Sequence, residues 1–281
     1  MPANYSILST LVLPDTSLYS HFPQNRQESW HELWSGLIIE KISYQSQGKA
    51  ITGFIVKPKN AQKLPVIIYN RGGSKDFGQI EERQLFFLLA RFASWGYVVV
   101  ASQYSGNDGG EGKDECGGED VWDVVNLQQV IESIPEADSE RIGMYGGSRG
   151  GMQTFLALEK MPNIKAVSVK AGSANQLRGY ASRPELKEYR RDMYDVDSQE
   201  ENLKRSVAFR TQYLPKNVPI LLQHGTGDEA VSVLDALELA SQLTKQSIHY
   251  KLIVYPEGDH KLSQYRDEHL EEIKKWFAKY L

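Results

Sequence analysis

The chain has 281 residues, of which 41% are hydrophobic and 24% are charged, a balance typical of folded globular proteins and not of disordered ones. Its formal net charge is -4, from 32 Lys and Arg against 36 Asp and Glu, and no basic block is present. We therefore expect neither nucleic acid nor an anionic membrane surface as a partner.

The single cysteine, Cys116, excludes an internal disulfide and a thiolate metal cluster. This cysteine usage is typical of a reducing compartment, so we predict a cytoplasmic location. The apolar run over residues 7–13 contains polar residues and stops at Pro14, which makes it a poor secretory signal. No stretch approaches the roughly 20 apolar residues of a membrane-spanning helix, so we expect no membrane association.

The first part of the chain has no strong periodicity, and we interpret residues 1–36 as an N-terminal packing arm. Trp30 and Trp34 stand four residues apart and would share one face of a short helix. Two β-branched, partly alternating runs follow, IIEKISY and ITGFIVKP, joined by SQGK. They predict an antiparallel hairpin.

From Leu64 onward, short and nearly continuous apolar runs are each followed by a longer helical pattern. This alternation predicts an α/β protein with a mostly parallel sheet and helices on both faces. The runs are PVIIYN, YVVVASQ, RIGMYG, IKAVSVKAG, VPILLQHG and HYKLIVYP. The candidate helices span residues 79–94, 119–133, 149–161, 231–246 and 264–280.

One connection is much longer than the others. More than forty residues lie between Ala171 and Val218, and they contain helical stretches such as PELKEYRRDMY. A connection of this length inside a compact domain usually carries structure or function of its own. We interpret residues 173–215, approximately, as a small helical lid inserted into a domain that spans residues 37–281.

A candidate nucleophile lies where one β-run meets a helical pattern. The segment RIGMYGGSRGGMQTFLAL places Ser148 between Gly146 and Gly150 in a GxSxG pattern. A nucleophilic serine on a sharp strand-to-helix turn needs glycines two residues before and after it, where the backbone segments cross closely. The alternative is a glycine-rich structural turn, because the bare pattern arises by chance in about one chain in ten of this length.

Two further residues complete the pattern. Asp228 follows the run VPILLQHG, and His260 follows the run HYKLIVYP. Because the carboxyl ends of parallel strands lie side by side, these residues can converge on Ser148. The chain order Ser148, Asp228, His260 is that of α/β-hydrolases. His224, at a strand end, is interpreted as a residue that satisfies local hydrogen bonds.

The segments GGSRGGM, HGTGDEAV and GDH, with the hairpin leading into PVIIYNRGG, resemble the catalytic domain of the prolyl oligopeptidase family of serine hydrolases. The resemblance runs from about Leu37 to the C-terminus, and residues 173–215 match least. It implies an α/β-hydrolase fold and a catalytic triad of Ser148, Asp228 and His260. Larger members carry an N-terminal β-propeller that screens substrates by size; we expect none here, because the hairpin is preceded by too few residues.

The sequence departs from this family at two positions. Ser232 follows the HGxxDxxV pattern where the family usually has proline, and it can cap the next helix. Arg71 stands where relatives have His-Gly-Gly or a tyrosine. An oxyanion hole needs two donors, which we assign to the backbone N–H of Arg149 and to a donor at Arg71. The guanidinium of Arg71 could instead hold a substrate carboxylate or lie at the surface.

The loop QYSGNDGGEGKDECGGED lacks the phosphate-binding patterns GK[ST] and GxGxxG, and its acids would repel phosphate. The family resemblance makes it a rim loop of the active site, with Tyr104 as a substrate contact alongside Arg71 and Arg149. The lid arginines either form a solvated face or, with Arg71 and Arg149, favour an acidic substrate end. They are Arg178, Arg183, Arg190 and Arg191.

These observations predict a serine hydrolase that cleaves peptide or ester bonds through an acyl-Ser148 intermediate. His260 would act as the base and Asp228 would orient it, with no cofactor and no metal. The open alternatives are a carboxylesterase or thioesterase acting on small acyl esters, a non-catalytic binding protein with the same fold, and a nucleotide-binding protein of the Rossmann type. The sequence leaves a homo-oligomer possible.

Overall fold

The structure is a computed structural model that describes residues 4–281, and it contains one nine-stranded sheet. The strands stand in the order β1-β2-β3-β5-β4-β6-β7-β8-β9. The first three neighbouring pairs in this order, β1/β2, β2/β3 and β3/β5, are antiparallel. The other five pairs, from β5/β4 to β8/β9, are parallel. The predicted α/β architecture is confirmed. The strands are β1 (Tyr5–Leu11), β2 (Leu37–Ser46), β3 (Lys49–Pro58), β4 (Leu64–Asn70), β5 (Val98–Ser102), β6 (Ala137–Gly147), β7 (Ile164–Lys170), β8 (Ile220–Gly225) and β9 (Tyr250–Tyr255).

The N-terminal residues contribute more to the sheet than we expected. β2 and β3 form the predicted hairpin, which turns at Gln47 and Gly48, both with positive φ. β1 then pairs antiparallel with β2 at the edge of the sheet, within the segment that we interpreted as an arm. Most β1 side chains are exposed. An edge strand that buries little of either face needs no apolar alternation, and its sequence therefore gave no signal.

Helices cover both faces of the sheet. One hydrophobic core lies under the helices from residues 121–132, 149–158 and 233–245, and the other lies under the helices from 24–35, 90–94 and 266–280. The helices are α1 (Gln24–Ser35), α2 (Glu82–Gln84), α3 (Ala90–Ser94), α4 (Val121–Val125), α5 (Leu127–Glu132), α6 (Arg149–Leu158), α7 (Gln176–Ser182), α8 (Pro184–Tyr189), α9 (Gln199–Lys204), α10 (Val233–Lys245) and α11 (Arg266–Tyr280).

Three of the predicted helices differ from the observed ones only by one to three residues at their ends, and the other two are interrupted. The candidate helix 79–94 begins only at Glu82, and a π-helical segment, Leu85–Leu89, joins α2 to α3. The candidate helix 119–133 is divided at Asn126 into α4 and α5. Trp30 and Trp34 share the buried face of α1, as their spacing predicted. Among the helices of residues 4–281, none is long and apolar enough to cross a bilayer.

The long connection between β7 and β8 is helical, as its sequence pattern indicated. It contains α7, α8 and α9, followed by two 3-10 turns, Val207–Phe209 and Thr211–Tyr213. Side chains of α7 and α8 line a cavity at the carboxyl end of the sheet. The insertion therefore borders the place where the predicted site residues lie.

Candidate active site

Ser148 occupies the turn between β6 and α6 in a conformation that non-glycine residues rarely adopt. Its backbone angles are φ 57° and ψ -125°. The backbone N–H of Ser148 donates to Lys170 O at 3.0 Å, and its carbonyl accepts from Ser173 N at 3.1 Å. Such strain persists only where surrounding contacts impose it, and it presents the side chain at the carboxyl end of β6.

The glycines of the GxSxG pattern stand where neighbouring backbone leaves no room for a Cβ atom. A Cβ on Gly146 would lie 2.2 Å from the carbonyl oxygen of Gly150. One on Gly150 would lie 2.0 Å from the carbonyl oxygen of Asn70, at the end of β4. The sharp turn at Ser148 thus requires both glycines, as the sequence pattern indicated.

Asp228 and His260 come together as their positions after β8 and β9 predicted. The Nδ1 of His260 lies 2.8 Å from Oδ2 of Asp228. The other oxygen of Asp228 accepts from Ala230 N and Val231 N at 2.8 and 2.9 Å. The carboxylate is fully buried, whereas the imidazole of His260 is 29% exposed. The aspartate is thus fixed by its own turn and holds the imidazole from the buried side.

A second imidazole contacts the same carboxylate. Nε2 of His224 lies 3.1 Å from Oδ2 of Asp228 and 2.9 Å from the carbonyl oxygen of Val231. Burial by itself would raise the pKa of Asp228, but the hydrogen bonds from His224 and His260 and from the Val231 N–H hold it well below its ordinary value. Asp228 therefore stays ionised near neutral pH, and His224 makes the local hydrogen bonds that we expected of it.

Ser148 and His260 line one cavity of about 190 Å³. Within residues 4–281 no hydrogen bond joins the Ser148 hydroxyl to the imidazole. Such bonds are often long without substrate and tighten when it binds. Most of the remaining wall comes from the turns after β4 and β8 and from α7 and α8, and Arg149, Ser173, Arg190 and Asp235 complete it.

Arg149, directly after Ser148, is buried in an ionic cluster. Its guanidinium donates to both oxygens of Asp114 at 2.8 and 2.6 Å and to Asp120 at 2.5 Å. It also donates to Gly73 O at 2.9 Å, and Gln153 donates to Asp120 at 2.8 Å. All three charged side chains are at most 5% exposed. Through these contacts the glycine-rich loop of residues 103–120 is bound to the turn that carries Ser148.

The pKa values of the two carboxylates of this cluster are shifted in opposite directions. Burial acts to raise the pKa of Asp114, but Arg149 outweighs it and the pKa lies below its usual value. Burial raises the pKa of Asp120, and the nearby carboxylates of Asp114 and Asp123 oppose the effect of Arg149. One guanidinium is thus shared by two acids, and Asp120 is the more easily protonated of the two.

The side chains of Arg71 and Tyr104 lie elsewhere than we expected for substrate contacts. The Arg71 guanidinium is buried and donates to the carbonyls of Gln103, Gly72 and Lys75 at 3.0 to 3.2 Å. Tyr104 is fully buried, and the guanidinium groups of Arg71 and Arg149 each lie 5.0 Å from its ring centre. Neither residue lines the cavity. Both instead support the loops that surround Ser148.

Sequence reasoning missed Asp114 and Asp120 as structural partners of this site. We noted the acids of the glycine-rich loop only as groups that would repel phosphate. The available signal was the arginine directly after the candidate nucleophile, because a cation buried beside a strand end needs anionic partners. Asp114 and Asp120 lie 35 and 29 residues from Arg149, in a loop whose path no periodicity reveals.

The chain is similar in sequence to proteins named as peptidases and as an esterase, and similar in fold to solved peptidase structures. It is 29% identical over 206 residues to the uncharacterized peptidase YtmA of Bacillus subtilis (strain 168), covering 72% of this chain and 78% of that protein. It is 26% identical over 170 residues to gut esterase 1 of Caenorhabditis elegans, covering 57% and 30%. Among solved structures, an acylaminoacyl peptidase of Pyrococcus horikoshii superposes with a TM-score of 0.73 at 23% identity.

That superposition covers 88% of this chain and 42% of the Pyrococcus chain, so this chain spans less than half the length of the esterase and of the archaeal peptidase. The family model described as the prolyl oligopeptidase family matches residues 83–281, which include Ser148, Asp228 and His260. This match extends over more than two thirds of the chain. The chain therefore belongs to the prolyl oligopeptidase family of serine hydrolases.

Proposed function

We propose that this protein hydrolyses peptide or ester bonds of small substrates through an acyl-Ser148 intermediate. The observation that carries the proposal is the strained turn that directs Ser148 into the cavity lined also by His260, whose Nδ1 is 2.8 Å from a buried, ionised Asp228. A serine hydroxyl becomes an effective nucleophile when an oriented base accepts its proton.

In the proposed cycle the Nε2 atom of His260 accepts the proton of Ser148 as Oγ attacks the substrate carbonyl. Asp228 holds the neutral ring through Nδ1–H and stabilises the imidazolium that forms. The imidazolium then gives its proton to the leaving amine or alcohol as the acyl–N or acyl–O bond breaks. A water molecule, deprotonated by His260, releases the acid from Ser148 and restores the enzyme.

The oxyanion of the tetrahedral intermediate needs two donors close to Ser148. The first is the backbone N–H of Arg149, which stands in the first turn of α6, where N–H groups have no intrahelical partner. The second, as proposed, comes from the turn after β4. Support comes from the closeness of this turn: a Cβ on Gly72 would lie 3.3 Å from Cβ of Ser148. The N–H groups of Arg71 and Gly72 are therefore the candidates.

The proposed substrates include both amides and esters. A relative named as a peptidase and another named as an esterase support hydrolysis of amides and of esters, which pass through the same acyl-enzyme. Comparing kcat/KM for peptide p-nitroanilides and for short-chain p-nitrophenyl esters separates the two. A high ester rate with no amide cleavage would favour the carboxylesterase alternative.

The test of the nucleophile is labelling by a fluorophosphonate, with the adduct measured by intact mass. We expect one adduct on the wild type and none on Ser148→Ala. Ser173→Ala is a matched control, because Ser173 lines the same cavity, and we expect it to keep the adduct. The Asp228→Asn variant should lower kcat on the order of 10⁴-fold, as in other triads. A folded wild type without any adduct would refute the proposal and favour a binding protein.

A further inference from the structure

The cavity at Ser148 is unusually rich in arginine. Four arginines belong to its wall, one from the Ser148 turn and three from the helical insertion. They are Arg149, Arg178, Arg183 and Arg190. A guanidinium group remains protonated in proteins, so each brings a positive charge that needs a counter-charge or a set of acceptors.

Three of the four charges are already balanced by protein carboxylates. Arg149 is bound by Asp114 and Asp120, as described above. Arg178 donates to Asp235 at 2.8 Å and to Glu238 at 2.7 Å. The third, Arg183, lies 3.1 Å from an oxygen of Glu185 and also donates to a backbone carbonyl. None of these three needs an anion from a ligand.

Arg190 differs from the other three. It is only 6% exposed, yet no carboxylate of residues 4–281 lies within 4.0 Å of its guanidinium. Its guanidinium donates from Nη1 to the amide oxygen of Gln176 at 2.9 Å and also interacts with the hydroxyl of Tyr180, and both partners are uncharged side chains. Its Nε atom is buried and has no acceptor in the described part of the chain; Nε of Arg149 is in the same state, but two carboxylates balance the charge of Arg149.

No carboxylate of residues 4–281 pairs with Arg190, but two weaker acids, Cys116 and Tyr180, lie near its guanidinium. Burial acts to lower its pKa, but the nearby Cys116 and Tyr180 outweigh this effect and raise it, while the cation of Arg149 acts against them. A buried cation with an unused donor is costly unless an anion pairs with it. A planar guanidinium matches a carboxylate in geometry and charge.

We infer that Arg190 binds a carboxylate of the substrate in the Ser148 cavity, so that the protein acts on small acyl compounds or peptides that carry an acidic group. This inference rests on the proposed function. It also revises the expectation that Arg149 and Arg71 would hold such a group, because two carboxylates already balance the charge of Arg149 and the guanidinium of Arg71 donates to three backbone carbonyls. The acid can belong to the acyl part or to the leaving group, and the test distinguishes the two.

The experiment uses pairs of esters that differ in one carboxylate. For the acyl side, p-nitrophenyl hemisuccinate is compared with p-nitrophenyl butyrate, which has a methyl group in place of the carboxylate. For the leaving group, 4-carboxyphenyl butyrate is compared with 4-carbamoylphenyl butyrate. We expect a higher kcat/KM for the acidic member of one pair. Arg190→Gln should lower that value by about tenfold to about 100-fold and lower the value for the neutral ester much less, so that the preference for the acidic ester is lost.

Arg191→Gln is the matched control, because Arg191 is the next residue and its side chain is 50% exposed. It should keep the wild-type preference, and Arg190→Lys should keep part of it. Fluorophosphonate labelling of Arg190→Gln at the wild-type rate shows that Ser148 remains reactive, so that lost preference is then specific to the carboxylate. If this variant does not fold, the test uses the wild type alone. Glutarate should then slow the labelling of Ser148 by the fluorophosphonate more than glutaramide does.

Equal kcat/KM within both pairs in the wild type, or an unchanged preference in a folded Arg190→Gln, would overturn the role of Arg190 and leave the hydrolase proposal intact. Equal protection by glutarate and glutaramide would do the same. Hydrolysis that survives in Ser148→Ala would instead overturn the proposed function itself. Each failure therefore points to one of the two proposals.

Discussion

Replacing Arg149 by glutamine should destabilise the fold strongly, because the change leaves two buried carboxylates without their cation. The guanidinium makes four short hydrogen bonds: two to Asp114, one to Asp120 and one to the carbonyl of Gly73. A glutamine amide can replace one of them at most. Breaking a buried ion pair by removing one partner typically costs about 3–5 kcal/mol.

The size of the expected change in melting temperature follows from the chain length. At about 2.1 cal/mol/K per residue, the unfolding entropy of this chain is about 0.6 kcal/mol/K, so a loss of about 3–5 kcal/mol lowers the melting temperature by about 5–8 °C. The assay is thermal unfolding by circular dichroism at pH 8, where both acids are ionised in the unfolded chain. Arg191→Gln removes an exposed arginine and should leave the melting temperature unchanged.

A fall below about 2 °C in Arg149→Gln would refute this reasoning, since it would mean that the acids are stabilised without the guanidinium. The same variant gives a second reading at acidic pH. The pKa of Asp120 is already raised by burial in the wild type, so in the variant Asp120 should be protonated before Asp114 as the pH falls. The deficit relative to wild type should therefore shrink between pH 8 and pH 5, and a deficit that stays constant would contradict the ionic origin of the effect.

Two further predictions concern the turn at Ser148 and the acid stability of the protein. Gly150→Ala should prevent folding or abolish labelling of Ser148, because the new Cβ would lie 2.0 Å from Asn70 O. Gly179→Ala is the control: its Cβ would have no neighbouring atom within 4 Å, and the variant should fold normally by circular dichroism. His269 is buried, and burial, with Lys170 nearby, lowers its pKa to about 3. The unfolded chain binds this proton first, so stability is lost as pH falls from about 6.5 towards 3, by up to about 1.4 kcal/mol per pH unit. His269→Gln should flatten this part of the curve of unfolding free energy against pH, and an unchanged slope would show that other groups cause the acid loss.

The features that the sequence predicted are those set by local geometry. Gly146 and Gly150 are required by contacts within a few residues of Ser148 and with the neighbouring strand end. Asp228 and His260 each follow an apolar run directly, so that chain order and the parallel sheet were enough to bring them together. Such features depend on one turn or one strand end, and a pattern in the sequence records them.

The features that the sequence did not predict depend on long loops and on exposed elements. β1 pairs at the edge of the sheet with most side chains exposed, so hydrophobic periodicity is absent. Tyr104 adopts a positive φ of 67° and is buried in the core, where its aromatic ring contacts two guanidinium groups. Four arginines line the cavity, and only contacts from distant segments distinguish Arg190 from the paired ones.

The buried carboxylates near Ser148 show how the same side chain is adapted to different uses. Asp228 and Asp120 each accept hydrogen bonds from two backbone N–H groups and from two side chains. The pKa of Asp228 is lowered, whereas that of Asp120 is raised beside the acids Asp114 and Asp123. Hydrogen-bond number alone therefore does not decide ionisation; burial and, after it, neighbouring like charge raise the pKa of Asp120. Asp228 is thereby kept ionised for His260, while Asp120 shares one cation with a second acid.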